Sequence, residues 1–173
     1  MKKLIQPIVI TLVCLLSSCS ATINGASVTP IDATKCVSAE VNKEDCTIHF
    51  ANDDKFEFTT KEINVKVSDI PSDKESDITI CNLSQGTKHL LAIVSGDESC
   101  PKKLADAGKD NPDGGYLPAE TPAGCNVLLS FVIEPRKAKQ LTVNSKMAPG
   151  MYYYLITTPG AVDAGMIGKL NVQ

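Results

Sequence analysis

Hydrophobic residues along this chain recur at alternate positions in short runs, and a helical spacing never holds for more than about two turns. Thr47-Ile48-His49-Phe50-Ala51 ends at Asn52-Asp53-Asp54, and Phe56-Glu57-Phe58-Thr59 follows. Ile63, Val65 and Val67 alternate with Asn64, Lys66 and Ser68, and Ile78 and Ile80 alternate before Asn82. Further runs cover 89–94, 127–133, 140–143, 151–157 and 166–172. Each is of strand length, and Gly, Pro, Asn or Asp clusters separate most of them. The pattern predicts an all-β fold over 46–173, a Greek-key sandwich or small barrel of seven to nine strands. Residues 101–108 are the best short-helix candidate, and 96–125 form one long flap loop without strand patterning.

The opening residues follow a different rule. Lys2 and Lys3 precede an apolar run over 4–16, interrupted by Gln6, Pro7 and Thr11. At about thirteen residues it is shorter than the ~20 a membrane-crossing helix needs, and it reads as a signal peptide over 1–18. Leu16-Ser17-Ser18-Cys19 resembles a bacterial lipobox, which implies a mature chain beginning at a lipid-modified Cys19. Ser20, where Asp would signal retention at the inner membrane, then implies the outer membrane of the cell envelope, facing periplasm or surface. Ordinary cleavage after Ala21 is the alternative. Residues 19–45, rich in Ser, Thr, Ala and Lys, form the expected lipid anchor and tether.

Charge and composition narrow the chemistry. Lys and Arg number 17 against 20 Asp and Glu, and loss of Lys2 and Lys3 with the leader takes the net charge from −3 to −5. A nucleic-acid partner, which wants a basic patch, is not expected. Two histidines, His49 and His89, are too few for a multi-His zinc site. They fall on separate predicted strands, so no Ser-His-acid arrangement can be argued and no enzyme is expected. Asn52-Asp53-Asp54 and the 110–115 segment read as turns, and Arg136-Lys137-Ala138-Lys139 as a solvated hairpin end. Export makes disulfides possible. With Cys14 discarded and Cys19 lipidated, Cys36, Cys46, Cys81, Cys100 and Cys125 remain of seven cysteines. Cys100 and Cys125 bracket the flap, and closing that loop stabilises by ~3 kcal/mol in the chain-entropy account.

Near the C-terminus the chain runs Pro149-Gly150-Met151-Tyr152-Tyr153-Tyr154-Leu155-Ile156-Thr157-Thr158-Pro159-Gly160-Ala161, then Gly165-Met166-Ile167-Gly168. This stretch resembles the terminal hairpin of the cupredoxins, the blue copper proteins, and of azurin in particular. Cys46-Thr47-Ile48-His49 with Asn52-Asp53-Asp54 is similar to the azurin N-terminal hairpin. Ile78-Thr79-Ile80-Cys81-Asn82-Leu83-Ser84, with His89 beyond it, resembles the strand leading to the first copper histidine. Tyr116-Leu117 matches the tail of the azurin flap.

The resemblance implies a cupredoxin domain over 46–173 and specifies where its copper ligands would fall. His89 takes the first histidine position, and Met166 stands one residue beyond the axial methionine spacing. Ile156 falls at the cysteine position and Ala161 at the second histidine, and neither has a donor atom. His89 and Met166 are therefore vestigial metal candidates, with weak Cu(I) binding as one outcome. A partly buried strand-end histidine and a core methionine are the other. Cys46 matches half of the azurin disulfide, but its partner position lands near Asp69, so Cys36 is the nearest partner and Cys81 is left over.

The expected function is thus a binding or structural module of the bacterial envelope, with no resident cofactor and with lipid on Cys19 holding it to the membrane. The apolar tip Pro159-Gly160-Ala161-Val162 is the expected docking surface for an envelope protein partner. The alternative is a periplasmic copper-binding or electron-transfer protein.

Overall fold

The computed structural model describes residues 22–23, 26–30, 46–50 and 56–173. The expected signal peptide, Cys19, Cys36 and the Asn52-Asp53-Asp54 turn lie outside the described residues. Ten strands are described: β1 (Thr22–Ile23), β2 (Ala26–Pro30), β3 (Ile48–Phe50), β4 (Glu62–Val65), β5 (Glu75–Asn82), β6 (His89–Gly96), β7 (Cys125–Ile133), β8 (Lys137–Asn144), β9 (Gly150–Ile156) and β10 (Ile167–Val172). One helix, α1 (Cys100–Ala107), interrupts the long 96–125 segment. The strands form two five-stranded sheets, ordered β1-β2-β8-β5-β3 and β4-β10-β9-β6-β7.

Several sequence expectations change here. Residues 26–30, assigned to the tether, form β2, whose backbone pairs antiparallel with β8 from Ala26↔Val143 to Pro30↔Lys139. The alternating run at 56–59 is not a strand. Phe58 drops into the core, and Thr59 ties the segment to β3, its N–H donating to the His49 carbonyl at 3.1 Å and its hydroxyl accepting from the His49 N–H at 3.3 Å. β3 pairs instead in parallel with β5. Arg136 is not the tip of a hairpin, because β7 and β8 belong to different sheets and the chain crosses between them there. Cys46 bonds to Cys81, not Cys36, with Cα atoms 5.9 Å apart. The parallel register His49↔Cys81, with Thr47 N–H donating to the Thr79 carbonyl at 2.9 Å, carries Cys46 alongside β5. Nearness in sequence could not report that neighbour.

The sheets close on one core. Ile48, Phe50, Ile80 and Leu141 come from one sheet and meet Leu91, Ile133, Tyr154 and Ile156 from the other. A second, smaller cluster lies on the far side of the second sheet, where Ala92, Val94, Tyr153 and Leu155 pack beneath Cys100 and Leu104 of α1. β6 and β9 are thus buried on both faces, which explains why 151–156 reads as one unbroken apolar run instead of an alternating one. The helix carries Pro101 in its first turn, where a missing N–H costs nothing. Its buried residues Cys100, Pro101, Leu104 and Ala105 share one face. The Cys100–Cys125 disulfide, Cα atoms 5.4 Å apart, joins the start of α1 to the start of β7.

One close approach in the second sheet demands a glycine. Gly168 of β10 stands opposite Tyr154 of β9, and a Cβ added at Gly168 would collide with the tyrosine ring. The ring cannot retreat freely, because its hydroxyl donates to the Thr60 carbonyl and it meets Phe58 in a T-shaped contact, centroids 5.1 Å apart. Gly168→Ala is expected to cost ~1–3 kcal/mol by overpacking. Denaturant unfolding should show a lower midpoint at unchanged slope; a wild-type midpoint would mean that the ring is not held as described.

Candidate functional site

The end of the second sheet where β6 begins and β9 ends gathers the candidate residues. Antiparallel pairing sets Leu91 opposite Ile156, so His89 at the start of β6 faces the chain just past β9. Thr157 N–H extends the ladder to the Leu90 carbonyl at 3.2 Å. The chain then turns, Ala161 N–H to Thr158 carbonyl at 3.0 Å and Ala164 N–H to Gly160 carbonyl at 2.9 Å, with Gly160 at φ 80°. Met166 closes the loop, its N–H donating to the Ala161 carbonyl at 2.9 Å and its carbonyl accepting from Ile156 at 3.1 Å. The Thr157 hydroxyl donates to the Gly115 carbonyl and ties the flap to this end of the sheet.

The result is a recess of about 300 Å³ lined by Phe56, His89, Thr158, Pro159, Gly160, Ala161, Ala164 and Met166. The sequence candidates His89 and Met166 therefore share one cavity. His89 is 5% exposed, and among the described residues neither Nδ1 nor Nε2 has a hydrogen-bond partner. Its ring stands edge-on to Phe50, centroids 5.5 Å apart. Burial without a counter-charge lowers its pKa, so the imidazole is neutral near pH 7. A neutral imidazole holds one donor and one acceptor, and leaving such a group buried and unmatched costs ~1–3 kcal/mol.

A type 1 copper centre needs a thiolate and two imidazoles in a plane, with a weak axial thioether. Among the described residues around the recess, only His89, Met166 and the Thr158 hydroxyl offer side-chain donors. Ile156 is fully buried hydrocarbon, Ala161 is a methyl group, and the four described cysteines are all in disulfides. Among the described residues no three His, Cys, Asp or Glu side chains converge to hold a metal ion. The described residues do not fit that centre.

No protein-family model matches the chain, and no curated protein matches it in sequence. Solved structures do. Auracyanin A from Chloroflexus aurantiacus, described as a "blue" copper protein, is similar with a TM-score of 0.56 and 26% identity, over 73% of this chain and 95% of that one. Reduced auracyanin from Roseiflexus castenholzii is similar with a TM-score of 0.54 and 25% identity, over 73% of this chain and 94% of that one. An azurin from Methylomonas sp. strain J, at 15% identity and a TM-score of 0.50, covers 73% of this chain and 95% of its own and bears on the fold alone. The chain has the azurin-like cupredoxin fold.

Within this cupredoxin domain, Pro159 and Gly160 of the expected apolar tip are exposed, whereas Ala161 and Val162 turn inward. Ala161 is 7% exposed, and Val162 is half-buried against the cluster beneath α1. Lys102 of the helix also pairs with Asp163 at 2.8 Å, holding the loop down. The exposed rim is formed by Pro159, Gly160, Ala164 and Phe56, the last 54% exposed. Sequence reasoning missed Phe56, Thr158 and Ala164. Only Phe56 left a signal, as a large aromatic in the 56–59 run, and the strand reading spent that signal on the wrong element. His49, the other histidine, stands on β3 with Nδ1 3.2 Å from the Thr59 hydroxyl and does not line the recess.

Because the folded pKa of His89 lies below the ordinary 6.5, the unfolded chain takes up this proton first as pH falls. The contribution of neutral His89 to stability is complete above about pH 6.5 and is lost as pH drops toward the lowered folded value. His89→Leu should therefore lose less Tm than wild type between about pH 7.5 and about pH 5, as followed by circular dichroism. Parallel losses in both proteins would show that His89 is not the group responsible.

Proposed function

We propose that this chain is a lipid-anchored protein of the bacterial cell envelope whose cupredoxin domain works as a binding module and not as an electron carrier. One observation carries the reading. Ile156 and Ala161 occupy the positions where the family resemblance places the copper thiolate and the second imidazole, while the recess around His89 and Met166 persists. Without a thiolate, the strong covalent bond that tunes a blue-copper couple is not available from these residues. The loop end, with its exposed Phe56 and Pro159 beside an apolar recess, is then the working surface. Envelope location is supported by Lys2, Lys3, the apolar run over 4–16 and Leu16-Ser17-Ser18-Cys19.

A second reading, copper handling, is favoured by the unpartnered nitrogens of His89 lining the same recess as the Met166 thioether, since imidazole and thioether both suit Cu(I). Titration of the purified protein with Cu(II) and with Cu(I), followed by visible spectrum and metal stoichiometry, separates the two. The binding-module reading expects no intense thiolate-to-copper band and no stoichiometric copper. Tight one-to-one Cu(I) binding that vanishes in His89→Ala would overturn it in favour of copper handling.

The anchor is tested independently. In cells fed labelled palmitate the protein should take up label, and Cys19→Ser should abolish it. Absence of label from the wild-type protein, or label that persists in Cys19→Ser, would sink lipidation at Cys19.

A further inference from the structure

We infer that the recess beside His89 is a binding site for a small uncharged molecule with a flat apolar body and one hydrogen-bonding group, which His89 engages. This rests on the reading of the loop end as the working surface and names the ligand chemistry of that surface.

The lining selects against charge. Around the recess stand Phe56, Met166, Pro159 and the Cβ atoms of Ala161 and Ala164, with the Thr158 hydroxyl and the His89 imidazole as its polar side chains. Among the described residues, no Asp, Glu, Lys or Arg lines it. An anion or cation entering would shed hydration without meeting a counter-charge, which is unfavourable by several kcal/mol. A neutral molecule carries no such cost and covers the exposed Phe56 ring at the rim.

His89 supplies the polar anchor. It is more than nine-tenths buried, it lines the recess, and both of its ring nitrogens lack partners among the described residues. Phe50, set edge-on to the ring, offers it no hydrogen bond. A hydroxyl or amide group on a ligand can donate to one nitrogen or accept from the other, and so recover what burial removed.

Size and rigidity complete the case. An engineered apolar cavity of ~150 Å³ accepts benzene, and ligand pockets begin at roughly 300 Å³, so a recess of about 300 Å³ suits a two-ring body. Its walls are preformed: the turn over 158–166 is closed by backbone hydrogen bonds at Ala161, Ala164 and Met166, and Thr157 is tied to the flap.

The experiment uses the chain from Ser20 onward, which lacks both the apolar 4–16 run and the lipid-bearing cysteine and so avoids detergent, and three probes of one shape: 2-naphthol, naphthalene and 2-naphthoate. Probe fluorescence reports binding. 2-Naphthol should saturate several-fold more tightly than naphthalene and at least about tenfold more tightly than 2-naphthoate. His89→Leu should bring 2-naphthol down to the naphthalene affinity and leave naphthalene unchanged. Ala164→Trp, at an exposed rim position, should abolish binding of both while circular dichroism and the denaturation midpoint stay as in wild type. Equal affinity for all three probes, binding that survives Ala164→Trp, or a 2-naphthol preference that survives His89→Leu would each overturn the inference. If no probe saturates and copper titration still shows no thiolate centre, the ligand class alone is wrong. If a thiolate–copper spectrum develops, the parent reading fails with it.

Discussion

The arrangement depends on one constraint, the burial of β6 and β9 on both faces. Leu91, Ile93, Tyr154 and Ile156 fill the inter-sheet core, while Ala92, Val94, Tyr153 and Leu155 are covered by the α1 side. A strand pair enclosed in this way has no solvent face to rotate toward, so its register is over-determined: a one-residue slip would exchange two packed layers. The Leu91↔Ile156 pairing is therefore rigid, and with it the position of His89 relative to the 157–166 turn. Everything at the loop end inherits its precision from that pair.

The same burial accounts for the chemistry of the recess. His89 begins a strand whose next five residues, Leu90 to Val94, are hydrocarbon, and its ring is set against Phe50 at the border of the core. Desolvation keeps it neutral and leaves its nitrogens unmatched. In a blue-copper protein a metal would compensate such a histidine with three further ligands. Here Ala161 lines the recess with a methyl group and Ile156 is buried in the inter-sheet core, so neither offers the histidine a ligating or hydrogen-bonding neighbour. The exposed pairs around α1, such as Lys102 with Asp163, hold the loop against the helix but contribute little stability of their own, since both side chains are largely in water.

The fold was largely legible in the alternation of apolar and polar residues. The runs at 78–80, 89–94, 127–133, 140–143, 151–157 and 166–172 all lie in or across described strands, and the helix at 101–108 lies within a residue of α1; the run at 63–68 is a strand only to Val65, because Val67–Asp69 turn as a short 3-10 helix. The alternating 56–59 run failed because Phe58 is drawn into the core beside Tyr154 from an irregular segment, and two residues of alternation do not distinguish that from a strand. β2 was invisible because Ser, Thr and Ala carry no hydrophobic period, yet its backbone pairs with β8. The Cys46–Cys81 bridge joins strands paired in parallel, and nothing local in the chain reports a parallel neighbour.

By itself, then, the amino-acid sequence determined the all-β class, the long flap between Gly96 and Cys125, and the donor atoms around His89: a thioether at Met166 and none at Ile156 or Ala161. Composition and spacing suffice for these, because a side chain without a lone pair cannot ligate in any fold. Tertiary structure alone decided which surface is exposed. Ala161 and Val162, apolar and in a turn, look outward in the sequence, but backbone hydrogen bonds and the α1 cluster draw them in, and Phe56 from a distant segment takes the rim. Exposure is a property of what packs against a residue, and those contacts join segments about a hundred positions apart.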